Sequence, residues 1–300
     1  MFPSCELGAD RGAVRTWAQA VEDLGFSHIS CIDHVLGASH ANRTPPLWGP
    51  HDQTMAFHEP LALFSFLAGV TRQVGLTCGI LVLPQRPAVL VAKQAAEIDL
   101  LSDGRLRLGV GAGWNPVEYE ALGADFASRG ARFDEQITLL RCLWRDPLVD
   151  FSGRFHRVDR ASMLPRPART IPIWVGGFSP PAFRRAARLG DGCIISTTDP
   201  SSARRQIHRL RTELVAAGRD PATYPVELAT LWSAGAPAVL AMVDLARRES
   251  VDYVTINTMT TTNAWRGGGD VQPLRTPAEH VGALERFIRE IGWEPAECRW

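Results

Sequence analysis

Residues 105–119 read RLRLGVGAGWNPVEY and decide the fold of the chain. In the first half, apolar residues alternate with arginine and glycine, which predicts a strand. The strand runs into Gly111 and Gly113, where the missing Cβ lets a backbone come close to a flat ligand. Trp114 and Asn115 follow, an apolar plane and an amide that both donates and accepts hydrogen bonds. The stretch therefore predicts the mouth of a cofactor pocket.

Strand and helix patterns alternate on both sides of this stretch. The predicted strands are 2–7, 27–32, 75–83, 105–111, 171–175, 192–196, 226–231 and 253–256. The predicted helices are 11–24, 60–70, 87–101, 132–144, 180–189, 203–217, 237–248 and 277–291. Eight such units favour an α/β fold of the (β/α)8 TIM-barrel type, a single domain over 1–300 with insertions after strands 2, 4 and 8. The pattern is less consistent with a doubly wound sheet, because no G-x-G-x-x-G motif follows the first strand.

Composition narrows the class of partner. Lys plus Arg and Asp plus Glu are 32 each, so the net charge of zero gives no general attraction to nucleic acid or acidic membrane. The cysteines show no C-x-x-C pattern, and no apolar run reaches about 18 residues. The first residues lack the basic and apolar pattern of a signal peptide. We therefore expect a cytoplasmic protein with a small-molecule substrate and without nucleic-acid or membrane partners.

Polar residues follow several predicted strands, where barrel enzymes carry their chemistry. Asp33 and His34 end strand two; they suit proton relay beside a polar ring, or simply a capped turn with a satisfied histidine. Gly79 ends strand three and marks either a strained bond or close packing. The residues alone leave both pairs of interpretations open.

Strand five ends in Gly176-Gly177-Phe178-Ser179, directly before a Pro-Pro pair. A helix that starts there would present the N–H groups of residues 177–179 to a phosphate, with help from its dipole. An ordinary capped turn explains the same residues equally well. The hydroxyls of residues 196–198 would add to the same anion site.

Two long connections contain aromatic residues: 37–59, which also contains histidines, and 258–276. Loops of this length are usually lids or binding loops, so we expect them to cover a substrate. Trp48 and Trp265 lie in these loops and would wall the pocket together with Trp114. No H-x-H or H-x-x-x-H spacing occurs among the histidines of the first loop, so no metal site is predicted.

Three motifs together resemble the luciferase-like monooxygenase superfamily of flavin and deazaflavin barrels. They are VEDLGFSHISCIDH, LVLPQRPAVLVAKQAAEIDLLSDGRLRLGVGAGW and PIWVGGFSP, and the similarity covers nearly the whole chain. The resemblance implies either FMN or coenzyme F420 as cofactor. It places the deazaflavin head beside Asp33 and His34 and a non-proline cis peptide at Gly79-Ile80. By the same resemblance the ring edge lies at Gly111, Gly113 and Asn115, and the phosphate on residues 176–179.

We favour coenzyme F420, because the Asp33-His34 pair fits its users and the arginine-for-lysine bias is that of actinobacteria. The predicted reaction is hydride transfer between the deazaflavin and an alcohol or carbonyl, an imine or an activated alkene. In that reaction His34 would exchange the proton and Asp33 would orient it. Sugar phosphates are poor candidates, because Ala112 replaces a glutamate of the sugar-phosphate dehydrogenases and Lys93 is the single lysine.

Two rival functions stay open. One is an FMNH2-dependent monooxygenase of the same fold, and the other is a deazaflavin-binding protein without catalytic activity. A homodimer is expected by analogy with barrels of the superfamily.

Overall fold

The computed structural model describes residues 1–49, 51–232, 235–260 and 274–293. Its strands are β1 (His28–Cys31), β2 (Gly75–Cys78), β3 (Leu81–Val82), β4 (Leu106–Gly111), β5 (Val149–Ser152), β6 (Arg157–Ala161), β7 (Ile173–Gly176), β8 (Gly192–Ser196), β9 (Val226–Leu231) and β10 (Tyr253–Asn257). Parallel pairing runs β1-β2-β4-β7-β8-β9-β10, with β3 extending the position of β2 beside β4. Strands β5 and β6 form a hairpin, paired antiparallel and outside this sheet. The predicted α/β barrel is thereby confirmed as a nearly closed parallel sheet.

The strand predicted at 2–7 is wrong. Residues Ser4–Leu7 form a short helix instead, and Pro3 before them has no N–H to donate to a strand ladder. At the seam between β10 and β1, the Phe2 amide donates to Ser30 O at 2.7 Å. The amino group of Met1 donates to Ile256 O at 2.6 Å. These two bonds bridge the seam where a full strand was expected.

Helices follow the barrel strands and pack against their outer faces. They are α1 (Ser4–Leu7), α2 (Arg11–Asp23), α3 (Pro60–Val70), α4 (Ala88–Leu101), α5 (Pro116–Ala121), α6 (Arg129–Arg145), α7 (Pro180–Leu189), α8 (Pro200–Ala216), α9 (Ala236–Arg248) and α10 (Pro277–Ile291). Proline at the first helical position sets the start of several of them, as at Pro60 and Pro277. The short helix α5 was not among the predicted helices.

Alternate residues of β4 point into the barrel, and their sizes shape its interior. Arg107 reaches across to Glu227, whereas a Cβ at Gly109 would lie 2.8 Å from Ile194 Cδ1. At the last inward position, a Cβ at Gly111 would lie 2.6 Å from Ile80 Cδ1. Leu106, Leu108 and Val110, the alternate positions, belong to the hydrophobic core. The interior is therefore filled by a long side chain at the start of β4, and glycine leaves room toward its end.

A buried polar layer lies at the start of the strands; we call it the lower layer and define it as Arg107, Glu227, His28 and Thr255. Arg107 donates to Glu227, and its guanidinium stacks on the Trp174 ring at 4.1 Å. Thr255 Oγ1 donates to Glu227 at 2.7 Å and lies 2.8 Å from His28 Nε2. Burial alone would raise the pKa of Glu227, but the neighbouring cation, His28 and Thr255 lower that pKa to about 2. The carboxylate is therefore ionised and paired.

Candidate active site at the barrel rim

His34 lies just beyond β1 at the rim, which we define as the carboxyl ends of the barrel strands. Its Nδ1 is 2.9 Å from Oε2 of Glu118, which lies in the first turn of α5. The other oxygen of Glu118 accepts the amides of Val35 at 2.7 Å and Leu36 at 3.2 Å. Burial alone raises the pKa of Glu118, but these hydrogen bonds outweigh it and the pKa lies below its ordinary value. An ionised Glu118 holds the proton of His34 on Nδ1 and leaves Nε2 for proton exchange.

Asp33 does not orient His34, although the sequence suggested that arrangement. Its Oδ2 accepts the Val82 amide at 2.8 Å, and its Oδ1 accepts Arg86 Nη2 at 2.6 Å. Arg86 also donates to Glu59 at 2.8 Å. Burial raises the pKa of Asp33 despite the ion pair with Arg86. Asp33 and Arg86 therefore connect the segments around residues 33, 59 and 82–86. The residue that orients His34 is Glu118.

Ile80 forms a floor at the rim. The Gly79-Ile80 peptide bond is cis, as the resemblance implied. The Ile80 side chain lies between two strands, since a Cβ at Gly176 would come within 2.3 Å of its Cγ2 and a Cβ at Gly111 within 2.6 Å of its Cδ1. Glycine at both positions gives this side chain its room. A flat ligand at the rim would rest on Ile80, partly exposed in this structure.

Gly113 and Asn115, predicted to line the ring edge, make contacts within the protein. A Cβ at Gly113 would lie 2.5 Å from Val82 Cγ1, so this turn packs tightly on β3. The Asn115 side chain caps α5 by accepting the Val117 amide at 3.1 Å. This cap begins the helix that carries Glu118. Their role toward a cofactor stays a prediction.

Aromatic rings surround His34. The nearest ring centroids are those of His51 at 4.5 Å, Phe57 at 4.9 Å and Trp114 at 5.9 Å. Trp48 lies 5.6 Å from Trp114 and is 54% exposed. The structure thus brings together two of the three predicted pocket tryptophans, while Trp265 lies outside the described residues.

The start of the loop 37–59, which supplies most of these rings, packs against a later part of the same loop. Gly37 packs on the backbone of Asp52, whose carbonyl oxygen would be 2.1 Å from a Cβ. Inside the loop, His40 Nε2 is 3.0 Å from His51 O. The loop therefore places His51 and Phe57 beside His34, and its role in covering a substrate stays a prediction.

The end of β7 turns into α7 at the predicted phosphate segment. Gly177 has φ of +146°, where glycine is favoured, and its amide lies 3.4 Å from Ile194 O. The amides of Phe178 and Ser179 donate to no acceptor in the described part of the chain. Because prolines occupy the next two positions, these two N–H groups are the ones that α7 offers to an anion. The Ser179 side chain makes no capping bond of its own.

The hydroxyl cluster expected beside this anion site is only partly available. Thr197 Oγ1 accepts the Asp199 amide at 3.2 Å and so belongs to the start of α8. Among the residues that the structure describes, no group of His, Cys, Asp and Glu side chains has the arrangement of a metal site. Within the same residues, no helix is both long and apolar enough to cross a membrane.

Two charged residues of the rim escaped the sequence analysis, Glu118 and Arg86. Asn115-Pro116 is a helix start signal, and a helix drawn from it would have placed Glu118 in the first turn. Nothing local predicts its partner, since His34 is 84 residues away in sequence. Arg86 is 53 residues from Asp33 and lies in a motif that was noticed only for its resemblance.

The molecule is a parallel barrel whose rim carries a buried histidine, the Ile80 side chain and a turn with two amides that have no acceptor among the described residues. The family model described as luciferase-like monooxygenase matches residues 4–289. The chain belongs to this family.

Several known proteins are similar to the chain. An uncharacterized protein of Mycobacterium tuberculosis is 32% identical over 278 residues, 91% of this chain and 92% of the relative. The F420-dependent hydroxymycolic acid dehydrogenase of the same species is 30% identical over 297 residues, 90% of this chain and 74% of the relative. The FMNH(2)-dependent dimethylsulfone monooxygenase of Pseudomonas fluorescens is 32% identical over 162 residues, 53% of this chain and 44% of the relative.

A solved structure of an F420-dependent secondary alcohol dehydrogenase in complex with an F420-acetone adduct has the same fold. The TM-score is 0.68 at 16% identity, covering 96% of this chain and 97% of the other. Relatives in this family are therefore oxidoreductases and monooxygenases that use a deazaflavin or a flavin.

Proposed function

We propose that the protein is an F420-dependent oxidoreductase that transfers a hydride to or from a small organic substrate. The observation that carries the proposal is the His34–Glu118 pair, a buried imidazole whose Nδ1 is fixed by an ionised carboxylate. Such a pair costs desolvation energy and suits a group that exchanges a proton repeatedly at a defined atom.

The residues present at the rim fit a deazaflavin or flavin. The Phe178 and Ser179 amides offer two donors to the cofactor phosphate, and the Ile80 floor offers an apolar contact to the ring. When bound, reduced F420 supplies a hydride from C5. FMN shares the phosphate and the ring shape, so these contacts alone do not separate the two cofactors.

His34 Nε2 gives a proton to a carbonyl or imine as the hydride arrives, or takes it from an alcohol in the reverse direction. Glu118 keeps the imidazole in one tautomer, with its proton on Nδ1. Phe57, Trp114 and His51 exclude water from the reacting atoms and favour an apolar substrate. The substrate class is an alcohol or carbonyl, an imine or an activated alkene.

The position of Ala112 argues against sugar phosphates. Its carbonyl oxygen accepts the Tyr119 hydroxyl at 2.7 Å, and its methyl side chain offers no carboxylate. Lys93, the single lysine, is paired with Glu97 on the outer helix α4. The rim thus lacks a lysine to hold a substrate phosphate.

An FMNH2-dependent monooxygenase is the second candidate function, favoured by the similarity to the dimethylsulfone monooxygenase. A deazaflavin-binding protein without turnover is the third, and the His34–Glu118 pair argues against it.

The test is titration of the purified protein with F420 and with FMN, followed by turnover. Binding is read from tryptophan fluorescence, because Trp114 and Trp48 lie at the rim. We expect tighter binding of F420 and oxidation of reduced F420 by carbonyl or imine substrates. Oxygen uptake with FMNH2, and none with reduced F420, would establish the monooxygenase instead. Tight F420 binding with no turnover across a broad substrate panel would establish the binding protein.

A further inference from the structure

A groove of about 540 Å³ lies between α7 and α8, and Phe178 and Pro180 line it. It is therefore continuous with the turn whose Phe178 and Ser179 amides are proposed to hold the cofactor phosphate. The Phe178 side chain is 63% exposed. Phe183, a core residue, lines the same groove. The groove thus offers apolar contact beside the proposed phosphate site.

Two arginines of α8 face this groove. Arg205 and Arg209 are four residues apart, so they lie on one side of the helix. Each has one acidic neighbour at the long end of ion-pair distance: Arg205 Nη2 is 3.8 Å from Asp199, and Arg209 Nη2 is 3.9 Å from Glu213. On another side of the same helix, Arg211 Nη1 is 2.6 Å from Glu249.

The two groove arginines are also well exposed, 71% and 50% for Arg205 and Arg209. With Glu213 also lining the groove, its formal charge remains positive. Exposed guanidinium groups in long ion pairs can change partners at little cost in free energy, and they bind carboxylates in bidentate geometry. The groove is therefore complementary to a flexible chain that carries several carboxylates.

We propose that this groove binds the oligoglutamate tail of coenzyme F420. The inference rests on the proposed function and adds to it a means of choosing the cofactor. FMN ends at its phosphate, whereas F420 continues beyond the phosphate into carboxylate-bearing residues. With the phosphate on the Phe178 and Ser179 amides, Phe178 would cover the methylene groups of the tail, and Arg205 and Arg209 would hold its carboxylates.

The test compares two forms of the cofactor, one without glutamates and one with a long oligoglutamate tail. Their affinities are measured by tryptophan fluorescence on the wild type, on the double variant Arg205→Gln/Arg209→Gln and on a control, Arg247→Gln/Arg248→Gln. The control removes the same charge from the exposed end of α9. The readout is the ratio of the two affinities, which cancels general effects on the protein.

We expect the wild type to prefer the tailed form by about tenfold, the size expected from two exposed ion pairs. The ratio should fall to about two in the groove variant and stay near ten in the control. It should also decrease as salt is added to the wild type.

Equal affinities for the two forms in the wild type would overturn the tail site and leave the proposed function intact. An unchanged ratio in the groove variant would do the same. Failure of both forms to bind would overturn the tail site and the proposed function together.

Discussion

The lower layer and the rim of the barrel use the same kinds of residue in different ways. In the lower layer, His28 and Glu227 both contact Thr255, and Arg107 forms an ion pair with Glu227. At the rim, His34 contacts the carboxylate of Glu118. The arginine of the rim, Arg86, does not pair with Glu118 but with Asp33 and Glu59.

One scaffold thus separates a layer that serves stability from a rim proposed to serve chemistry. The lower layer pairs every charge with its neighbours and leaves the interior filled. The rim instead commits only Nδ1 of His34 to Glu118, and inward glycines keep space above Ile80. Substitutions at the two ends should therefore change different measurements.

The largest difference between the two ends is expected when His34 and His28 are each replaced by alanine. His34→Ala should lower turnover by about 10²–10⁴-fold and change cofactor affinity far less, because a proton-exchanging group is lost. His28→Ala is the matched control and should lower stability while turnover below the unfolding temperature stays near that of wild type. Steady-state kinetics and F420 titration on both variants check this. Equal losses of turnover would remove the distinction between the two ends.

Glu227→Gln should have the largest effect on stability, because Arg107 would lose its counter-charge in a buried layer. We expect the free energy of unfolding to decrease by about 4 kcal/mol. Asp244→Asn, at an exposed ion pair on α9, should cost less than about 0.5 kcal/mol. Urea unfolding of both variants gives the comparison, and similar losses would show that the lower layer has no special role.

Acid should destabilise the protein through the same layer. The pKa of Glu227 is lowered from 4.5 to about 2 in the fold. Its contribution, roughly 3 kcal/mol, is therefore complete above pH 4.5 and lost as pH falls toward 2. Burial lowers the pKa of His28 below 6.5, so its protonation in the unfolded chain adds to the acid loss. Unfolding measured from pH 7 to 2 should show this decline, and a smaller one in Glu227→Gln.

Glu118→Gln should lower turnover by about 10- to 100-fold, because an amide, unlike a carboxylate, does not fix which nitrogen of His34 carries the proton. The free energy of unfolding, measured with urea, should change little, because the amide oxygen can still accept the Val35 and Leu36 amides. Unchanged turnover would mean that Glu118 only holds these two amides.

Gly111→Ala should have the smallest effect. The new methyl group would push against Ile80 Cδ1, the flexible end of a side chain, which can shift. We expect cofactor affinity to fall several-fold, and the unfolding free energy to change by about 1–2 kcal/mol. Gly69→Ala is the control, because this exposed glycine near the end of α3 has no atom within 4 Å of a new Cβ and no positive φ. Unchanged cofactor affinity in Gly111→Ala would show that no ring rests on Ile80.

Much of the fold follows from local patterns in the sequence. Alternation along residues 105–111 identified β4, and the helices predicted at 60–70, 180–189 and 277–291 match α3, α7 and α10. The strand predicted at 2–7 failed because Pro3 and a short helical turn outweigh apolar content there.

The candidate site was harder to predict, because its contacts join distant parts of the chain. Asp33 and His34 were found from their place after a strand, but sequence adjacency suggested that they act on each other. The fold gives each of them a different partner, Arg86 and Glu118, more than 50 residues away. Side-chain direction at the end of a strand decides this, and no local pattern encodes it.

The two ends of the loop 37–59 are each fastened by a carboxylate. Glu118 holds the Val35 and Leu36 amides before the loop, and Arg86 holds Glu59 after it. Residues between these fixed points can therefore be substituted without loosening either end. New substrate preferences can evolve by substitutions within the loop, while His34 beside it is kept.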